Sequence, residues 1–255
     1  MPLETLLPVV DRLRDGCPWD RSQTARSLLP YLLEEAYELA DAVERDDAEA
    51  QAAEVGDLLY LLLLLVRIGA ESGPHDLARV ERGVVAKMER RHPALFGSAG
   101  APERDAPVGS QEAWEARKAE ERDEGRSALD GVPPALPALL RAHRVAEKAA
   151  RVGFDWPDRA GVLAKVDEER RELDEAIASG DPASIRHEYG DVLLALANLG
   201  RFLGVPGEDA LREACGRFEA RFRALERVAA ARGLDLHRAD LATLEGIWQE
   251  VKAGG

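Results

Sequence analysis

Four carboxylates placed symmetrically about a turn occur twice in this chain, and that repetition limits its fold more than any other feature. Glu169 and Glu172 precede Ser179-Gly180-Asp181-Pro182, while Glu188 and Asp191 follow it, so the pairs 172/188 and 169/191 both centre on residue 180. Glu35, Glu38, Glu54 and Asp57 centre in the same way on residue 46, within Arg45-Asp46-Asp47. Each acid of the second set lies 134 positions after its counterpart (35 to 169, 38 to 172, 54 to 188, 57 to 191). Residues three apart on a helix share a face. With antiparallel helical arms, Glu172 stands level with Glu188 and Glu169 with Asp191, and each hairpin gathers four oxygen donors. Carboxylates that close stay ionised only with a cation among them, or else some protonate. Hard oxygen donors, without a thiol or a matched set of imidazoles, suit Mg²⁺ or Mn²⁺ better than zinc or copper.

Charged helix faces usually just meet water, so flanking sequence matters. The arm with Asp57 continues Leu58-Leu59-Tyr60-Leu61-Leu62-Leu63-Leu64-Leu65-Val66, and the arm with Asp191 continues Val192-Leu193-Leu194-Ala195-Leu196-Ala197. Both runs are apolar all round, which predicts buried helices whose polar neighbours need partners.

A chain of 255 residues, 45% of them hydrophobic, can bury one large core or two smaller ones, and the internal repeat favours two. The predicted organisation is all-α: a helical-bundle domain over 1–96, a linker with a short helix over 97–136, and a second bundle over 137–255. The Gly, Pro and Ser content of 97–110 marks the linker. A net charge of −14 disfavours nucleic acid and acidic membranes as partners. The apolar run over 58–66 is too short to span a bilayer, and no signal-like segment opens the sequence. Cys17 and Cys215 lack any paired spacing and read as reduced thiols of a cytoplasmic protein.

Periodicity predicts helices near 3–14, 27–45, 48–71 and 76–91, then near 137–151, 159–178, 183–203, 207–232 and 240–252. Gly16-Cys17-Pro18-Trp19-Asp20 with Gln23-Thr24 reads as a loop. Arg90 and Arg91 close a helix, where they favour its dipole or reach a phosphate. Asn198 lies further along the Asp191 helix, and Arg217 and Arg221 are four apart on the next, either a phosphate clamp or a solvated face. Trp248 stacks on a base or anchors the terminal helix.

These elements resemble the MazG-type nucleoside triphosphate pyrophosphohydrolases over nearly the whole chain. The likeness rests on Glu34-Glu35-x-x-Glu38 with Glu54-x-x-Asp57, and on Glu168-Glu169-x-x-Glu172 with Glu188-x-x-Asp191. Cys17-Pro18-Trp19-Asp20-x-x-Gln23-Thr24, Arg90-Arg91-His92-Pro93 and Val152-Gly153-Phe154-Asp155-Trp156 extend it. The resemblance implies a homodimer that converts nucleoside triphosphates to the monophosphate and pyrophosphate, with the carboxylates holding Mg²⁺. It further implies that Lys118, Arg217 and Arg221 contact phosphates and that Trp248 stacks near the base. In the proposed hydrolysis Glu169 or Glu168 accepts the water's proton. Leu64 and Gly83 stand in the first repeat where the second has Asn198 and Arg217, which makes the C-terminal copy the expected nucleotide site. A di-iron carboxylate bundle is the redox alternative, but it normally needs two Glu-x-x-His units, and the single match, Glu89 to His92, sits beside Pro93. A non-catalytic helical scaffold is the third possibility.

Overall fold

The computed structural model describes residues 3–73, 76–96 and 127–254, and among these every regular element is a helix. The chain divides into two compact units, the division falling between Arg122 and Asp123. Lys118 lies outside the described residues.

The first unit comprises α1 (Leu3–Gly16), α2 (Pro18–Ser22), α3 (Ala25–Glu44), α4 (Ala48–Ser72), α5 (Leu77–Arg91) and α6 (Pro93–Phe96). The stretch read as a loop therefore contains a short helix, begun by Pro18, whose missing N–H costs nothing at a helix start. A reciprocal cap opens α3: Thr24 Oγ1 accepts from Ser27 N–H at 3.1 Å and Ser27 Oγ accepts from Thr24 N–H at 2.9 Å. Asp47 caps α4 by accepting from Ala50 N–H at 3.1 Å. Helices α3 and α4 pack as a hairpin, and α1 lies against α4. Val10, Leu28, Leu61 and Leu64 form the centre of the core.

The α4 run is not buried all round. Leu61, Leu63, Leu64 and Ile68 face the core, but Leu59 is 36% and Leu62 49% exposed. Leu59 and Leu62, three apart, therefore form an exposed apolar stripe along α4.

Asp20 is buried and accepts from the Tyr60 hydroxyl of α4. Arg14 donates to the carbonyls of Asp20 and Gln23 and pairs with Glu71 at 2.8 Å. The Trp19-Asp20 turn thus serves to fasten α1 to α4.

The second unit comprises α7 (Ala138–Arg151), α8 (Arg159–Ser179), α9 (Pro182–Leu203), α10 (Gly207–Ala231) and α11 (Leu241–Ala253). Gly180 ends α8 at φ 72°, a left-handed conformation that costs an L side chain about 1–2 kcal/mol. Asp181 then caps α9 through the N–H groups of Ala183 (3.3 Å) and Ser184 (3.1 Å), with Pro182 at the first helical position. Helices α8 and α9 form the second hairpin, α7 packs along α9, and α10 pairs with α11 around Leu225, Ala229 and Ile247. Here too the apolar run is only partly covered: Ala195 and Ala197 are buried, whereas Leu193, Leu194 and Leu196 are exposed.

Candidate active site

Both hairpins bring three carboxylates together. Oxygens of Glu169, Glu172 and Glu188 lie within 4.8 Å of one another, as do those of Glu35, Glu38 and Glu54. The two acids three apart on the first arm point the same way and meet one from the second arm. The fourth acid of each set stands slightly aside. Asp191 lines the cavity beside Glu169, with His187 Nε2 at 3.4 Å from its Oδ2, while Asp57 acts on Glu35 through its charge.

The second cluster carries a cation that sequence reading overlooked. Lys165, one turn before Glu169 on α8, places Nζ at 2.7 Å from Glu169 Oε1 and 2.8 Å from Glu168 Oε1. Glu169 is 6% exposed, whereas Glu168 reaches toward solvent. The hydrogen bond and charge of Lys165 hold the Glu168 carboxyl below its ordinary range, and its two carboxylate partners raise the Lys165 ammonium. Tyr31 stands at the corresponding place in the first repeat. The spacing 165/169 was a detectable signal, since an i, i+4 pair shares a face.

Desolvation, followed by repulsion from Asp57, Glu38 and Glu54, raises the Glu35 carboxyl. Desolvation, then Glu169 and Glu188, does the same to Glu172. Clusters that repel themselves in this way, built from oxygen donors alone, fit a hard divalent cation.

The sign of the pH effect follows. A carboxyl raised on folding contributes stability below its unfolded value, about 4.3 for Glu, and that contribution is lost as pH rises through the higher folded value. In chelator, the melting temperature of Glu35→Gln minus that of the wild type is expected to climb as pH rises from about 4 to about 7. Added Mg²⁺ should reduce the difference by stabilising the wild type. A difference that stays flat with pH contradicts the account.

A cavity of about 510 Å³ opens beside the second cluster, a size suited to a small organic ligand. Ala146 and Ala149 of α7, Phe154 and Trp156 of the connecting loop, and Leu194 and Asn198 of α9 form its walls, with Lys165, Glu169 and Asp191 at one end. The loop is fixed in place: Arg201 pairs with Asp155, which also accepts the Trp156 N–H at 2.9 Å. A methyl group at Gly161 would lie 2.9 Å from the Trp156 ring, so only glycine lets the indole close onto α8. The equivalent interior of the first unit is filled. Leu64, in the place of Asn198, is fully buried against Val10 and Leu28, and Tyr60, in the place of Leu194, is tied to Asp20.

The remaining candidates lie elsewhere. Arg217 pairs with Glu213 at 3.4 Å on α10, Arg221 is one turn on, and Trp248 packs on Phe218 with ring centroids 5.3 Å apart. None of the three lines the cavity beside Glu169; Trp248 borders a separate hollow with Phe222 and Leu244. Arg90 and Arg91 occupy the last turn of α5, before His92, whose Nδ1 lies 2.9 Å from the Met88 carbonyl.

Comparison with known proteins matches residues 23–96 and 159–224 to the family described as the MazG nucleotide pyrophosphohydrolase domain. The nucleoside triphosphate pyrophosphohydrolase of Escherichia coli K12 is 42% identical over 260 residues, covering 98% of this chain and 97% of the relative. A Thermotoga maritima protein named nucleoside triphosphate pyrophosphohydrolase/pyrophosphatase MazG is 39% identical over 254 residues, covering 98% and 96%.

Proposed function

The chain belongs to the MazG nucleotide pyrophosphohydrolase family, and from that we propose that it cleaves nucleoside triphosphates between the α- and β-phosphates, chiefly in its C-terminal unit. The carrying observation is a carboxylate cluster whose Glu169 also lines, with Lys165, Asp191 and Asn198, a cavity of the same unit. Glu169, Glu172, Glu188 and Asp191 would hold Mg²⁺, or Mn²⁺ in its place. When bound, the cation supplies charge stabilisation for the triphosphate and the leaving pyrophosphate. Lys165, paired with Glu168 and Glu169, sets a second positive charge beside the same cluster. Glu168 is the acceptor for the proton of the attacking water, because it stands outside the cluster and Lys165 fixes its position. Water adds to the α-phosphorus as the bond to the bridging oxygen breaks, giving a nucleoside monophosphate and pyrophosphate.

Family likeness gives phosphate contacts to Lys118, Arg217 and Arg221, with Arg90, Arg91, Glu35, Glu38, Glu54 and Asp57 forming the first unit's counterpart; the base stacking it gives to Trp248 is not carried over, because Trp248 borders a separate hollow with Phe222 and Leu244. The exposed apolar faces of α4 and α9 favour a homodimer. We take 1–96 and 137–255 as the two domains, joined by 97–136. Two unpaired thiols, Cys17 and Cys215, fit the cytoplasm, and no helix among the described residues is long and apolar enough to cross a membrane.

The test is pyrophosphate release from a panel of nucleoside triphosphates with Mg²⁺, with Mn²⁺ and with chelator. Release is expected with either metal and none with chelator. Release of inorganic phosphate alone, or turnover that persists in chelator, would overturn the assignment.

A further inference from the structure

We infer that the cavity of the C-terminal unit prefers bases with a keto oxygen, at purine C6 or pyrimidine C4, over bases with an amino group there. This rests on the reading of the cavity as the nucleoside site.

A guanidinium sets the orientation of the Asn198 amide. Arg201 Nε donates to Asn198 Oδ1 at 3.0 Å. Arginine has donors and no acceptor, so the chemistry fixes which end of the amide faces it: oxygen toward Arg201 and Nδ2 away. Arg201 is held on its other side by Asp155 and lies over the Phe202 ring at 4.5 Å, with its side chain 17% exposed. Asp155 is fixed in turn by the Trp156 N–H. The amide of Asn198 is therefore oriented by a chain of charged partners and not free to turn over.

Asn198 lines the cavity, and the half of its side chain left for a ligand is a pair of N–H donors. Asn198 follows Asp191 by seven residues on α9, two turns or about 10 Å along one face. That separation leaves room for a sugar and base between the acidic end and the amide. A keto oxygen accepts from the Nδ2 donors. An exocyclic amino group sets donor against donor and leaves both unpaired in an apolar enclosure. The first unit has Leu64 at this position and offers no such discrimination.

Inosine and adenosine triphosphates differ only at C6 and in the proton on the adjacent N1, as uridine and cytidine triphosphates do at C4 and N3. The expected ratio of kcat/KM, keto over amino, is roughly 10–100-fold within each pair. Asn198→Asp keeps the shape and lets one oxygen stay on Arg201 while the other becomes an acceptor, so the ratio should invert. Arg201→Met releases the amide, and the ratio should fall toward unity because Asn198 can then present either end. Calorimetric binding of inosine and adenosine monophosphates should show the same preference without turnover, which separates recognition of the base from chemistry. Pyrophosphate release from all four triphosphates at similar kcat/KM, with Asn198→Asp leaving the ratios unmoved, would overturn this inference and leave the proposed function standing. No release from any triphosphate would instead remove the proposed function, and the inference with it.

Discussion

Glu172→Gln is expected to lower pyrophosphate release by roughly 10²–10³-fold, while Glu38→Gln leaves most of it. Glutamine keeps the size of the side chain but removes one of the three charges that converge within 4.8 Å. Glu172 is exposed, so its replacement should not cost the fold. The asymmetry comes from what surrounds each cluster. In the second unit the carboxylates adjoin a cavity and a lysine; in the first, the matching space is taken up by Leu64 and Tyr60. Steady-state kinetics of the two variants decides the matter. Loss confined to Glu38→Gln would move the catalytic centre to the first hairpin.

The second large effect is on stability. Leu64→Asn, which installs the residue of the other repeat, should destabilise the first unit by about 3–5 kcal/mol. Truncating a fully buried leucine costs about 2–5 kcal/mol, depending on how far its surroundings collapse. The new amide adds an unpaired polar group in a core made by Val10, Leu28 and Leu61. Arg67, 134 positions before Arg201, is drawn to Asp11 (2.9 Å) and Glu71 (3.0 Å) at the surface and leaves the new amide without the partner that Arg201 gives Asn198. Calorimetry should show the first unit melting at lower temperature. An unchanged melting profile would mean that the core can accept the polar group, contrary to the packing described.

The helices and the carboxylate clusters were legible because they rest on local rules. Caps such as Thr24, Asp47, Asp158 and Asp181 lie where the sequence signals a helix start, and spacing alone brings Glu169 to Glu172. What could not be read was which side of a uniformly apolar helix meets a neighbour. Leu61 and Leu62 are chemically identical, yet one is core and the other surface, because the outcome depends on where α1 lands. The cavity was hidden for a similar reason. It arises from small residues of α7, Ala146 and Ala149, facing Leu194 across a gap bordered by the loop of Phe154 and Trp156, a juxtaposition of α7 and its following loop with the distant α9. Lys165 could have been found from its spacing, but it reads equally well as an ordinary surface ion pair.

The duplicated clusters also affect how such a protein is counted. If cations enter both triads, a binding isotherm reports two metal sites per chain although, on the proposed function, only the second hairpin carries the main turnover. Stoichiometry and active-site concentration then differ by a factor of two, and an activity normalised to bound metal would understate the working centre by half.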